Sequence, residues 1–178
     1  MKKQNLLPAI VLTTICLVTA ALLAAVNLLT APVVEKNEKE ALRKSLAEAL
    51  PAASAFDELS AGGLSTEHTE IVSVYKDTAG AGFVVIATTK KGYTGKPITL
   101  SVGVDSDGKV VNVIVTNSSE TKNTAAIDAY PSAFTGKGAD EVDRVELVSG
   151  VTYTSRAYRT AISDALAAAA KAGKGEGK

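Results

Sequence analysis

The longest apolar stretch of the chain lies at its N-terminus. No residue between Lys3 and Glu35 is charged. A helix needs about 20 residues to cross the core of a bilayer, and the centre of this stretch, from Ala9 to Ala31, is longer than that. In lipid such a segment satisfies its backbone polar groups by forming a helix. The pattern therefore predicts an N-terminal tail and transmembrane anchor in residues 1–34.

A cleaved secretory signal is the alternative interpretation of this stretch. The apolar core of such a signal usually has about 7–15 residues, and no small-residue cleavage motif closes this one, so we favour a retained anchor. Lys2 and Lys3 precede the helix without an acidic partner, which favours a cytoplasmic N-terminus. We therefore expect a single pass through the inner (cytoplasmic) membrane, with the C-terminal domain on the periplasmic or extracellular side.

The next segment changes from helical to strand periodicity. Residues 35–50 have apolar positions at helical spacing up to Pro51, which predicts a juxtamembrane amphipathic helix. This helix either continues the anchor as a stalk or packs on the domain that follows. Residues 51–70 are loop-like, and apolar alternation or short apolar runs predict strands after them at 71–76, 82–89, 98–104 and 109–115. Asp105-Ser106-Asp107-Gly108 supplies a tight hairpin turn between the last two strands.

The C-terminal third ends in a long helix. Tyr158, Ile162, Ala165 and Leu166 form one stripe of a helix predicted over residues 155–172. Val142, Val145 and Leu147 suggest a short strand before it, and the glycine- and charge-rich residues 171–178 predict a disordered tail. Strands joined by short turns and flanked by helices indicate an α+β domain with an antiparallel sheet over residues 51–170.

Composition narrows the possible chemistry. Nineteen basic residues balance nineteen acidic ones, so no overall positive charge indicates nucleic-acid binding. One cysteine and one histidine argue against a disulfide framework, an iron–sulfur cluster or a zinc site. We therefore expect no bound metal and no nucleic-acid partner.

The segment from Ser149 to Ser155 carries the candidate chemistry. It places a glycine and several hydroxyl groups just before the last helix. Unpaired backbone N–H groups and the helix dipole at such a position attract a phosphate. An ordinary N-cap made by Thr154 or Ser155 is the alternative, because serine and threonine are common capping residues. The residues alone leave both interpretations open.

This segment and several others resemble a known family. Ser149-Gly150-Val151-Thr152, followed by Thr154 and Ser155, is similar to the S/T-G-A-T signature of an FMN-binding domain. The chain resembles RnfG, the FMN-binding member of the Rnf electron-transport complex, and more broadly a domain shared with the sodium-pumping NADH:quinone oxidoreductase. The other matching segments are Leu7-Pro8-Ala9-Ile10, Thr30-Ala31-Pro32, Lys91-Gly92-Tyr93, Val104-Asp105-Ser106-Asp107-Gly108-Lys109 and Ser119-Glu120-Thr121.

The resemblance implies a cofactor and a set of site residues. In that family the last threonine of the signature carries FMN through a phosphoester bond that a separate flavin transferase makes. The matching residue is Thr152, with Thr154 as the second choice. Residues around Thr152 would shape the phosphate pocket, and others would approach the flavin ring. The first group comprises Ser149, Gly150, Val151, Thr154 and Ser155, and the second Gly92, Tyr93, Glu120 and Thr121.

The resemblance also implies a function. The chain would be a membrane-anchored flavoprotein that relays electrons through covalent FMN. It would act as one part of an Rnf-type ion-translocating ferredoxin:NAD oxidoreductase, with the other membrane subunits of that complex as partners. Its role would be electron transfer within the complex and not self-sufficient catalysis. A stand-alone membrane-tethered FMN carrier and a non-redox anchored binding module with a degenerate flavin site are the alternatives.

Overall fold

The N-terminal part of the chain is one long helix. The computed structural model describes residues 6–120 and 125–175, which form two compact units divided between Arg43 and Lys44. Helix α1 (Leu6–Ala49) contains Pro32, and its side chains from 7 to 41 are exposed. Within the described residues it is the one helix that is long and apolar enough to cross a membrane. The predicted N-terminal apolar helix is therefore confirmed.

The threonine hydroxyls of this apolar helix form hydrogen bonds within the helix. Four threonine hydroxyls each donate to the carbonyl oxygen four residues earlier, at 2.9 Å. A hydroxyl that bonds back to its own helix requires no water or partner chain. The four residues, which are Thr13, Thr14, Thr19 and Thr30, are therefore compatible with a lipid-facing helix.

The second unit is built on a five-stranded antiparallel sheet. Each strand pairs with the next one along the chain, so the sheet is a meander. The hairpin at 105–108 is confirmed: Gly108 has φ +78°, and its N–H donates to the carbonyl of Asp105 at 3.1 Å. The strands are β1 (Phe56–Leu59), β2 (Glu70–Asp77), β3 (Gly82–Thr89), β4 (Ile98–Asp105) and β5 (Val110–Asn117).

Strand β1 lies in the segment that we predicted to be a loop. It pairs with β2 at the edge of the sheet, where Phe56 faces Asp77. The buried Asp77 carboxylate accepts hydrogen bonds from the N–H groups of Ser54, Ala55 and Ala81. These bonds connect the start of β1 to the β2–β3 turn. A carboxylate more than twenty residues away thus positions a strand whose own apolar pattern is weak.

The predicted strand over 142–147 is wrong. The structure has a short helix α3 (Ala139–Val142) there, followed by irregular chain. Arg159 of the C-terminal helix donates to the carbonyls of Asp143 and Val145, which holds this segment beside that helix. Val142 and Val145 are nevertheless buried in the core, so their apolar character is explained by packing. Before α3 lie helix α2 (Ala125–Ala129) and a 3₁₀ turn (Tyr130–Phe134).

The C-terminal helix α4 (Thr152–Gly175) covers one face of the sheet. The predicted stripe of Tyr158, Ile162, Ala165 and Leu166 is buried. The helix is longer than predicted, and its last residues correct our prediction that disorder begins at 171. Ala172 packs against the core and Gly173 lies against the ring of Phe83, so contacts with the sheet extend the helix to Gly175. Residues 176–178 lie outside the described residues.

The opposite face of the sheet is covered by the end of α1. Leu46, Ala49 and Leu50 are buried, and the backbone of Ala49 lies directly against Gly103 of β4. Asn112 of β5 donates to the carbonyl of Glu48 at 3.0 Å. The second unit begins at Lys44 and therefore includes this end of α1. Residues 35–49 continue α1, and their last turn and a half packs on the domain, so both of our alternatives apply to parts of this segment.

Candidate functional site

A cavity of about 270 Å³ lies at the N-terminal end of α4. Three parts of the chain line it: the loop after β3, the loop after β5 and the segment that leads into α4. The lining residues are Tyr93, Glu120, Gly150, Val151, Thr152, Tyr153 and Thr154. The antiparallel sheet brings the first two loops to the same end of the domain, and α4 begins at that end.

The carboxylate of Glu120 connects these three parts. Its Oε2 accepts hydrogen bonds from the Tyr93 N–H at 3.0 Å and from the Thr154 hydroxyl at 2.6 Å. Its Oε1 accepts from the N–H and the hydroxyl of Thr94, at 3.3 and 2.8 Å. One side chain therefore holds the 92–94 loop and the first turn of α4 together.

These hydrogen bonds determine the charge of Glu120. Partial burial on its own would raise the pKa of the carboxyl group. The hydrogen bonds from Thr154, Thr94 and Tyr93 outweigh burial and hold the pKa of Glu120 below its usual value. Glu120 is therefore ionised at neutral pH and accepts hydrogen bonds through both oxygens.

Two glycines are required by this geometry. A Cβ atom at Gly92 would lie 2.5 Å from Oε1 of Glu120 and 2.7 Å from Cδ1 of Ile98, so a larger residue would displace the carboxylate. Gly150 has φ +82°, a left-handed conformation that glycine adopts without strain. It turns the chain into α4 and leaves the first turn of the helix open on the cavity side.

The hydroxyl groups at the start of α4 differ in accessibility. Thr154 is 3% exposed and donates to Glu120. Ser155 is fully buried; its hydroxyl donates to the carbonyl of Val151 at 3.1 Å and accepts from the N–H of Val148 at 3.2 Å. Thr152 is exposed, lines the cavity, and has no hydrogen-bond partner for its hydroxyl among the described residues. Thr152 is therefore the accessible threonine.

The first turn of α4 has backbone N–H groups for which the described residues provide no hydrogen-bond acceptor. Helix geometry leaves the N–H groups of Thr152, Tyr153 and Thr154 without a carbonyl partner inside the helix. The hydroxyls of Thr154 and Ser155 are engaged elsewhere and do not cap them. The exposed Arg156 lies four residues after Thr152, so the two side chains share one face of the helix. These donors and this cation fit the phosphate end of FMN.

The structure brings together most of the residues predicted for the site. Tyr93, Glu120, Gly150, Val151, Thr152 and Thr154 line the cavity, and Gly92 supports Glu120. Two predicted residues lie next to the cavity but not in its lining: Ser149 is exposed on the approach to α4, and Ser155 is buried behind the first turn. Thr121 lies outside the described residues.

Sequence reasoning missed three residues of this site. Thr94 gives two of the four hydrogen bonds to Glu120, Tyr153 lines the cavity, and Arg156 follows Thr152 by one helical turn. The spacing of Arg156 is visible in the sequence once the helix is known to begin at Thr152. Nothing in the local sequence pairs Thr94 with Glu120, because that contact depends on the register of the sheet.

A second, larger cavity lies elsewhere on the domain. It measures about 650 Å³ and is lined by the β4–β5 turn, α3 and the last turns of α4. Its floor is apolar and its rim carries Asp105, Asp107, Asp140 and Glu141. None of the predicted site residues that the structure describes contributes to it, so the larger cavity is not the one that the sequence predicted.

Two family models match this chain, one in each of its two parts. The family model of the FMN-binding domain matches residues 92–167, a range that contains every predicted site residue. The model of the RnfG N-terminal region matches residues 1–49. Component G of the proton-translocating ferredoxin:NAD(+) oxidoreductase complex of Clostridium ljungdahlii is 26% identical over 179 residues, which cover 93% of this chain and 92% of the relative.

These matches show the family of this chain. The chain contains an FMN-binding domain that follows a long N-terminal apolar helix. The N-terminal match and the end-to-end similarity to the Clostridium protein narrow this class. The chain belongs to the RnfG family of the Rnf electron-transport complex.

Proposed function

We propose that this chain is a membrane-anchored flavoprotein that relays electrons through FMN within an Rnf-type ion-translocating ferredoxin:NAD oxidoreductase. The FMN-binding domain, the RnfG N-terminal region and the relative from a complex of this type support this function together. Helix α1 supplies the membrane anchor by its length and composition. The other membrane subunits of the complex are the partners to which this chain passes electrons.

FMN is held, in this proposal, by a phosphoester bond to the Thr152 hydroxyl. The observation that carries this assignment is the difference between the three aliphatic hydroxyls in the first helical turn. Thr154 and Ser155 are buried and hydrogen-bonded, whereas Thr152 is exposed at the cavity. A separate flavin transferase must reach the acceptor hydroxyl, and only an exposed one can enter its active site.

The residues of this chain bind and position the cofactor. Bound FMN supplies the chemistry of accepting and releasing electrons, and the protein supplies position and electrostatics. The N–H groups at the start of α4 donate to the phosphate oxygens, and Arg156 adds a positive charge near them. Glu120 keeps the 92–94 loop against α4, so the walls of the cavity stay in place.

The orientation in the membrane follows from charge. Lys2 and Lys3 favour a cytoplasmic N-terminus, which places the FMN-binding domain on the outer side of the inner membrane.

Mass spectrometry of matched threonine variants tests the attachment. The full-length chain is co-expressed with a flavin transferase, purified, and its intact mass is measured. We expect one FMN adduct in the unchanged protein and in Thr154→Val, and none in Thr152→Val. The two substitutions remove one hydroxyl each at equal size. An adduct that persists in Thr152→Val would contradict the assignment.

The electron-relay function has its own test. The Rnf complex is purified with the Thr152→Val chain in place of the unchanged one, and its polypeptide composition is checked first. We expect an assembled complex that has lost electron flow from ferredoxin to NAD. Full electron flow without FMN on this chain would exclude a relay role. Failure of the chain to co-purify with other membrane subunits would favour the stand-alone carrier.

A further inference from the structure

Two exposed tyrosines meet at the cavity. Tyr93 is 69% exposed and Tyr153 is 65% exposed, and their ring centroids are 6.4 Å apart. Among the described residues of the second unit, the only other exposed large apolar side chain is Val72, at 50%. Single exposed apolar side chains are common, whereas adjacent ones that form a patch indicate a binding surface. Tyr93 and Tyr153 form such a patch.

The backbone on both sides positions the two rings. The N–H of Tyr93 donates to Glu120, which fixes the 92–94 loop beside α4. Tyr153 directly follows Thr152 in the first turn of α4, where successive side chains point about 100° apart around the helix axis. The Tyr153 ring is therefore directed to the side of the Thr152 hydroxyl, toward Tyr93.

The two rings are inclined to each other and do not lie parallel with a gap between them. Their planes meet at 58°, at a distance at which aromatic rings contact each other directly. A third planar ring cannot enter between them. A third ring can pack against the exposed side of the two tyrosines, so that one of its faces is covered and the other stays free.

We propose that Tyr153 and Tyr93 form the surface on which the isoalloxazine ring of FMN packs. This inference rests on the proposed attachment of FMN to Thr152. The cavity volume of about 270 Å³ is below the roughly 300–1,000 Å³ of sites that enclose a drug-sized ligand, so the ring extends beyond it. The surface formed by Tyr93 and Tyr153 is the apolar surface next to that opening.

This arrangement leaves one face and the edge of the flavin ring accessible. The tyrosines cover the other face and restrict the motion of a ring that is otherwise tethered only through its phosphate. A redox partner can then approach the free face. Tyr153 and Tyr93 are thus positioning residues for the ring, whereas Thr152 is the attachment point.

Flavin fluorescence reports on this contact. A phenol ring in contact with an excited flavin quenches its emission by giving it an electron, which returns as the pair decays. The test uses the full-length chain co-expressed with a flavin transferase, in the variants Tyr153→Leu, Tyr93→Leu, Tyr153→Phe and the control Val72→Ala. Intact mass is measured first, so that FMN attachment is known for each variant.

The expected pattern separates packing from attachment. All variants carry one FMN. Tyr153→Leu and Tyr93→Leu show a several-fold rise in fluorescence yield and a shifted visible absorption band, and Val72→Ala shows neither. Tyr153→Phe raises the fluorescence but keeps the band position, because a phenylalanine ring packs without donating an electron.

Two outcomes would overturn the inference, and they are distinguishable. Fluorescence and absorption that stay unchanged in both leucine variants, at full FMN content, would show that the tyrosines do not contact the ring while the attachment stands. A wild-type chain without an FMN adduct would remove the proposed function and this inference together. If Tyr153→Leu alone fails to acquire FMN, Tyr153→Phe still decides the question through its fluorescence.

Discussion

The carboxylate of Glu120 accepts a 2.6 Å hydrogen bond from the hydroxyl of Thr154, which lies 34 residues further along the chain. This contact joins the loop after β5 to the first turn of α4. It also engages the Thr154 hydroxyl, which leaves Thr152 as the accessible threonine beside it. The same bond therefore shapes the cavity and makes the hydroxyls of Thr152 and Thr154 differ in accessibility.

Neutralising Glu120 should loosen this end of the domain. In Glu120→Gln the charge-assisted bonds from Thr154, Thr94 and Tyr93 become neutral or are lost. We expect the free energy of unfolding to fall by about 1–3 kcal/mol, as measured by urea denaturation. The exposed Glu70, changed to glutamine, is the control and should alter stability by less than about 0.5 kcal/mol. Equal stability of both variants would mean that Glu120 does not hold the loop.

The stability of the domain should depend on pH in the acid range. The pKa of Asp77 is lowered by the hydrogen bond from Ala81 and by further backbone N–H groups, and the pKa of Glu120 is lowered by its own hydrogen bonds. In the unfolded chain these groups titrate at about 3.9 and 4.3. A depressed folded pKa stabilises the protein above the unfolded value, and this stabilisation is lost as the pH falls through the folded value.

The corresponding measurement is the free energy of unfolding between neutral pH and acid. We expect little change down to about pH 5 and a progressive decrease below about pH 4. Glu120→Gln and Asp77→Asn should each make this decrease shallower. A domain that becomes more stable on acidification in this range would contradict the sign of both pKa shifts.

Gly103 should not tolerate a side chain. A Cβ atom at this position would collide with the carbonyl of Ala49, because the end of α1 lies directly on β4. We expect Gly103→Ala to lower the free energy of unfolding by about 1–3 kcal/mol, the usual range for overpacking. Gly62→Ala is the matched control, since its Cβ would meet only the Ser60 hydroxyl at ordinary contact distance. Equal thermal midpoints for the two variants would argue against close packing of α1 on the sheet.

Arg156 should assist FMN binding by charge. It lies one helical turn after Thr152 and is exposed. When flavin transferase is limiting, we expect a smaller FMN-loaded fraction in Arg156→Gln than in the unchanged protein, and the difference should shrink at high salt. Arg156→Lys retains the charge and should load normally. Intact mass gives the FMN-loaded fraction. Normal loading of Arg156→Gln at low salt would show that Arg156 does not assist FMN binding.

The proposed orientation can be tested by thiol labelling. Cys16 is the one cysteine of the chain, so it is first changed to serine. A cysteine is then introduced by Ser106→Cys in the exposed β4–β5 turn, or by Gln4→Cys before the membrane helix. With a membrane-impermeant reagent on spheroplasts, we expect labelling of the first variant and labelling of the second only after lysis. The reverse pattern would place the domain in the cytoplasm.

Local patterns in the sequence were sufficient for much of the fold. The uncharged N-terminal stretch predicts α1, the Asp-rich turn predicts the β4–β5 hairpin, and the Tyr158 stripe predicts the buried face of α4. These features depend on residues a few positions apart, so the local pattern of apolar and polar residues is enough to predict them. The weak edge strand β1 and the segment 142–147 were predicted incorrectly because distant side chains, Asp77 and Arg159, determine their conformation.

The sequence by itself determined that a membrane-type helix precedes an α+β domain, and that a motif resembling an FMN attachment site stands before the last helix. The tertiary structure alone decided which hydroxyl of that motif is accessible, because Glu120 engages Thr154 from across the sheet and the core buries Ser155. It also decided that Tyr93 and Tyr153 meet. Such contacts depend on strand register and helix packing, which join residues that no local periodicity connects.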